Sequence, residues 1–245
     1  MKKIILIPAL AIVLSGCDTL NDLAGTVVSP NGTTTTASLT NAEVVNGLKE
    51  ALTVGISNSV DLTSVVNGFL GNDKIRLPFP QDAIKVKEKA IEWGLQGQVD
   101  KFEETLNRAA EEAAKEALPI FKSAITNMTI QDGFNILKGG EGAATTYLKA
   151  STSEALKAAF MPKVQAAISK VKLTDYWNPI VTKYNLAAPL MGYKTVNPDL
   201  NNYVLDLATD GLFKMVAEEE NKIRKDVGAR VTDLLRKVFG SLDKK

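Results

Sequence analysis

Apolar residues recur at helical spacing along most of the chain, and they are densest between residues 203 and 217. Ten of those fifteen residues are apolar, with Val204, Leu207, Ala208, Gly211, Leu212 and Met215 on one stripe and Tyr203, Leu205, Phe213 and Val216 beside it. A helix apolar on nearly every side is buried among other helices. Its polar residues, Asp206, Thr209, Asp210 and Lys214, form a narrow strip. Asn197 suits its N-cap, Pro198 its first turn and Asp199 the positive end of its dipole. The charged text after Ala217, EEENKIRKD, predicts that the helix emerges into water there.

The other segments follow the same period. Leu39, Thr40, Glu43 and Val44 fit a capping box with a hydrophobic staple. Val44, Val45, Leu48, Ala51 and Leu52 then share a face, with Gly55 a weak point before residues 60–70 continue in the same style. In residues 75–80, Pro78 and Pro80 force extended geometry, so Ile75, Leu77 and Phe79 alternate as in a strap pinned to a core. A short helix over 82–93 carries Ala83, Val86, Ala90 and Trp93 on one face. A long amphipathic pattern from Val99 to Met128 is expected to kink at Pro119. Thr129 with Asp132, and Ser151 with Glu154, have capping spacing, the second leading into 155–171 with a kink at Pro162. A short helix over 174–184 and a loop over 187–196 lead to the central helix. Val227, Val231, Leu234, Leu235, Val238 and Phe239 give a last face, with Gly240 at its end. No segment reads as a paired strand. The pattern predicts an all-α protein, one multi-helix domain over residues 40–245 packed around a buried helix near 198–225.

The first seventeen residues have a different layout. Lys2 and Lys3 precede an apolar run from Ile4 to Leu14. Eleven helical residues span only ~16 Å, short of a bilayer core of ~30 Å, so the run reads as a secretory signal over residues 1–16. Leu14-Ser15-Gly16-Cys17 resembles the bacterial lipobox. That resemblance implies cleavage before Cys17 and acylation of Cys17, which places the protein on a bacterial membrane, facing the periplasm. Several acyl chains anchor firmly where one binds only marginally. Residues 17–39, with the run Thr33 to Thr36 beside Pro30, Asn31 and Gly32, read as a flexible tether of ~25 Å mean span.

Composition removes several function classes. Lys plus Arg is 29 against 28 Asp plus Glu, so there is no basic excess to argue for a nucleic-acid partner. The chain has no histidine, which takes away the commonest general base and the commonest metal ligand. Its one cysteine allows no internal disulfide. A carboxylate-bridged metal pair wants Glu-x-x-His, which is absent. Ser169 to Lys172 matches S-x-x-K without the companion motifs of penicillin-binding enzymes. Gly139-Gly140-Glu141-Gly142 ahead of Ala143 could cradle an anion at a helix start, although a glycine stop explains it as well and Glu141 would repel the anion. No cofactor and no metal are expected. The candidate polar cluster is Asp210, Arg108, Arg76, Glu111, Glu219, Glu220 and Arg224, with Asp210 expected as a buried carboxylate gripped by Arg108 or Arg76, and an exposed position or a ligand-facing polar anchor as the other readings.

Short strings along the chain resemble a bacterial family, the domain of unknown function 4197. They are Ile75-Arg76-Leu77-Pro78, Asn107-Arg108-Ala109-Ala110-Glu111, Ala143-Ala144-Thr145 with Tyr147, Tyr203-Val204, Asp210-Gly211-Leu212-Phe213, Glu219-Glu220 with Ile223-Arg224, and Val238-Phe239-Gly240. Gly133 and Leu148 depart mildly, standing where alanine and phenylalanine are more usual. The resemblance implies a helical exported protein, often a lipoprotein, and brings no catalytic residues. The expectation is a membrane-tethered, non-enzymatic binding or scaffolding module whose partner is an envelope protein or an apolar ligand. Its rivals are a helical pocket for a lipid or other apolar small ligand and a carboxylate-based envelope hydrolase.

Overall fold

The computed structural model describes residues 24–28, 34–38, 40–92, 94–170, 173–197 and 199–240. The expectations for the signal segment, Cys17, Leu39, Trp93 and Pro198 lie outside those residues. The domain is all-α. Its helices are α1 (Asn41–Thr63), α2 (Ile84–Glu92), α3 (Gln96–Ala114), α4 (Ala117–Thr126), α5 (Ile130–Lys138), α6 (Ala143–Lys170), α7 (Leu173–Ala187), α8 (Leu200–Lys225) and α9 (Asp233–Gly240).

Helix α8 is the central element. It packs against α6, α1 and α3, and Val204, Ala208 and Leu212 are fully buried on it. Gly211 permits the closest approach: a Cβ there would lie 2.7 Å from the buried ring of Phe69 and 3.3 Å from Ile75. α1 lies antiparallel to α8, since Gly55 faces Glu219 and Ile223 while Phe69, beyond the end of α1, faces Gly211. Gly55 does not interrupt α1: it lies buried inside the helix, where a Cβ would make ordinary 3.5 Å contacts with Glu219 and Ile223. The second layer is α4, α5 and α9 on α1, and α3 and α4 on α6.

Local signals account for the helix starts that were expected. Thr40 Oγ1 accepts from the Glu43 N–H, and Glu43 accepts from the Thr40 N–H at 2.8 Å. Thr129 and Asp132 form the same reciprocal box at α5. The strap also holds: Ile75, Leu77 and Phe79 are buried, and Phe79 packs tilted against Phe102 of α3 and edge-on to Trp177 of α7, with centroids 4.7 and 5.7 Å apart.

Other expectations are corrected. Residues 64–70 do not continue α1. They turn back through Asn67 at φ 68°, a left-handed conformation that asparagine tolerates. The pattern from Val99 to Met128 is two helices, broken at Lys115 and Glu116, because the ring of Pro119 clashes with a helical carbonyl four residues earlier. Ser151 is not a cap: it lies inside α6 and its hydroxyl donates to the Tyr147 carbonyl at 2.8 Å. The N-cap of α8 is Asp199, two residues after Asn197, whose side chain accepts from the Asp199 N–H instead. Val227 and Val231 are exposed and precede α9, so the last apolar face is shorter than the pattern suggested. Finally, Ala24–Val28 pairs antiparallel with Thr34–Ser38, so a two-stranded ribbon stands where the sequence predicts flexible coil. Its valines and threonines are β-branched, which suits a strand, but a polar, repetitive run hides that preference.

Candidate functional site

The seven residues expected to form one polar cluster are dispersed into separate places. Asp210 is not buried. Its side chain is 62% exposed and accepts from Lys149 Nζ of α6 at 2.9 Å. Arg76 is also largely exposed and reaches Glu103 of α3 at 3.4 Å. The physical reason is helical spacing: Asp206, Asp210 and Lys214 are four apart on the one strip of α8 that faces water. We expect Asp210→Ala to change unfolding free energy by less than ~0.5 kcal/mol, as exposed pairs do. A urea melt of the purified variant checks this.

The charges that are buried serve the backbone. Glu220 sits on α8, yet it accepts from the Ala144 N–H at 3.1 Å, the Thr145 N–H at 2.9 Å and the Thr145 hydroxyl at 2.8 Å, all in the first turn of α6. The first turn of a helix has N–H groups with no partner inside the helix, and a carboxylate there also meets the positive end of the dipole. Arg224, one turn further along α8, donates to Glu220 at 2.9 Å and to the Ile136 carbonyl at 2.8 Å. It thus satisfies the C-terminal end of α5. Gly140 and Gly142, both left-handed, carry the chain between those two helix ends. The anion cradle suggested by the glycines has an occupant: it is the carboxylate of Glu220. Glu141 points away to Lys225 at 2.6 Å.

A second junction involves α3. Glu111 accepts from the Phe69 and Leu70 N–H groups at 3.2 Å each and from Arg108 at 2.7 Å. Arg108 also donates to Asn67 at 2.9 Å, and its hydrogen bond to Glu111 raises the guanidinium's already high pKa. Asn107, which the sequence reading did not single out as a site residue, grips the strap: its side chain accepts from the Leu77 N–H at 2.8 Å and donates to the Leu77 carbonyl at 3.0 Å. Tyr203 of α8 donates to the Pro78 carbonyl at 2.9 Å, and burial, with Glu103 nearby, pushes its pKa up to about 12.

Glu219 and Glu220 are both buried, so α8 does not emerge into water after Ala217. Glu219 accepts from Asn58 of α1 at 3.0 Å and from Lys222. Arg230 was missed. It is 2% exposed and donates to the Ile223 and Arg224 carbonyls at 3.0 and 2.9 Å, closing the end of α8. The usable signal was a cation just past a helix end.

The open spaces are modest. A cavity of about 20 Å³ lies between α1 and α8, beside Leu52, Val216 and Phe239, with Glu220 and Arg224 in its wall. That is room for about one water, not for an acyl chain. An open groove of about 520 Å³ runs between α4 and α6, lined by Ile120, Ser123, Tyr147 and Ser151 among others. Among the described residues, no group of three or more acids or cysteines could hold a metal, and no helix is long and apolar enough to cross a membrane. Ser169 lies in the last turn of α6, while Val171 and Lys172 fall outside the described residues.

The family model described as "Protein of unknown function (DUF4197)" matches residues 38–240. The chain belongs to the DUF4197 family. No curated protein and no solved structure matches it. The strings that carry the DUF4197 resemblance meet one another in space. Ile75-Arg76-Leu77-Pro78 is held by Asn107 of Asn107-Arg108-Ala109-Ala110-Glu111. Ala143-Ala144-Thr145 is capped by Glu220, with Arg224 beside it. Gly211 seats Phe69 and Ile75, and Val238 packs where a Cβ on Gly47 would be. In this DUF4197 chain those strings are the points where helices and strap lock together.

Proposed function

We propose that this DUF4197 chain is a lipid-anchored module of the bacterial envelope, periplasm-facing, that works by binding or scaffolding and not by catalysis. The observation that carries the reading is Leu14-Ser15-Gly16-Cys17 behind a short apolar run, with Cys17 the only cysteine. The fate of the buried acids supports the non-catalytic part. Glu111, Glu219 and Glu220 each accept hydrogen bonds from the fold's own groups. A carboxylate hydrolase would need two acids converging in one cleft. The small volume beside Val216 gives no support to a lipid pocket along α8.

Cells fed radioactive palmitate should label the parent protein and leave Cys17→Ser unlabelled, with the variant, unlike the parent, washed from the membrane fraction by high salt and its helical dichroism unchanged. A Cys17→Ser protein that still takes up label would refute the anchor.

A further inference from the structure

One stretch of the domain surface is built against the usual rule. At the end of α7, Leu186 is 74% exposed, Leu190 90%, Met191 56% and Tyr193 44%. A single exposed leucine means little, but four large apolar residues in eight positions form a patch that calls for a partner. The exposure is imposed by the fold. Ala188 is buried, Pro189–Met191 forms a 3-10 turn, and Gly192 is left-handed. The N–H groups of Met191 and Tyr193 donate to the Ala188 carbonyl at 3.1 and 2.8 Å, and that of Gly192 to Pro189 at 3.2 Å. Asn185 fixes the base of the loop through two 2.8 Å bonds to the backbone of Val196. The result is a preformed tip with its apolar side chains turned outward.

Three features select a lipid surface over a protein one. The tip's N–H groups at 191, 192 and 193 are satisfied within the loop, which lowers the cost of removing them from water. Tyr193 stands behind the apolar apex, with Lys85 Nζ of α2 3.3 Å from its ring centre, the layering of an interfacial anchor. Two lysines flank the patch: Lys85 of α2 lies over the Tyr193 ring and Lys194 follows it in the chain, while Lys87 is engaged by Glu103. Lys85 and Lys194 are exposed. Basic residues behind an apolar apex match the negative surface of an anionic bilayer.

We propose that residues 186–193 dock on an anionic lipid bilayer, with Leu190 and Met191 entering it and Lys85 and Lys194 facing its headgroups. The tip adjoins the start of α8, whereas Thr40 opens α1, which runs antiparallel to α8, so the tip and the chain's entry lie at opposite ends of the domain. The inference rests on the loop and not on acylation of Cys17.

The test uses the full chain with Cys17→Ser and Met191→Cys, labelled at residue 191 with an environment-sensitive fluorophore. The control carries the label at Glu154→Cys, an exposed position on α6. Vesicles of phosphatidylcholine mixed with phosphatidylglycerol should shift the residue 191 emission to the blue, expose it to lipid-borne quenchers, and leave residue 154 unchanged. Phosphatidylcholine alone should give a much smaller response. Leu190→Ser should weaken vesicle binding by roughly tenfold, as loss of one buried leucine does. Lys194→Ala should weaken it by about fivefold. A residue 191 probe that stays in water on vesicles that do bind the protein would overturn the proposal. A blue shift that grows with protein concentration in the absence of vesicles would overturn it too, and would assign the tip to contacts between copies.

Discussion

Glu220→Ala is expected to lower the unfolding free energy by about 3–5 kcal/mol, the range for removing one partner of a buried ion pair. The side chains of Glu220 and Arg224 are 5% and 10% exposed. Removing the carboxylate strands the guanidinium among apolar neighbours, with only backbone carbonyls left to it. It also leaves the Ala144 and Thr145 N–H groups at the start of α6 without their acceptor. Both losses fall on one helix junction, so their costs share a cause and should not be summed as independent. Glu220→Gln keeps an acceptor oxygen and should cost less. Urea denaturation followed by circular dichroism reads the effect. A loss below ~0.5 kcal/mol would mean that the junction is solvated.

Asn107→Ala should cost about 2–4 kcal/mol, since it leaves the N–H and the carbonyl of buried Leu77 unpaired at ~1–3 kcal/mol each. Strap residues 76–80 have no backbone ladder to fall back on. The side-chain amide of Asn107 supplies both bonds to Leu77, donating through Nδ2 and accepting through Oδ1. Asn107→Asp keeps the acceptor, loses the donor, and sets a negative oxygen against the Leu77 carbonyl. It should therefore be no better than alanine. The direct readout is amide hydrogen exchange at Leu77, which should speed up in both variants before global unfolding. Unchanged protection at Leu77 would show that the strap is held by its buried side chains alone.

What could be read from the sequence was short-range. Thr40 with Glu43 and Thr129 with Asp132 are boxes because three residues suffice to close them. The same spacing misled at Ser151 and Glu154, where nothing local says that a helix is already under way. The strap was legible because prolines dictate backbone geometry without help from the rest of the chain. The burial of α8 was legible from its apolar circumference. The exposure of Asp210 was legible too, from its register with Asp206 and Lys214, although the apolar residues beside it in sequence argue for burial.

The junctions were not legible, because their partners are far apart in sequence. Glu220 and Ala144 are 76 residues apart. A charged run looks like a solvent face until the helix ends it caps are known. The glycines before α6 did announce an anion cradle, and only the fold could reveal that the anion belongs to the chain itself. The ribbon at Ala24–Val28 and Thr34–Ser38 was hidden by its polar composition.

The most direct measurement of the proposed anchoring is mass spectrometry of the mature protein extracted from the membrane of its native host or of a bacterium expressing the full chain. The expected result is an N-terminal peptide that begins at Cys17 and carries the mass of its acyl chains, with residues 1–16 absent. An N-terminal peptide beginning at Met1, or an unmodified Cys17, would contradict the anchor.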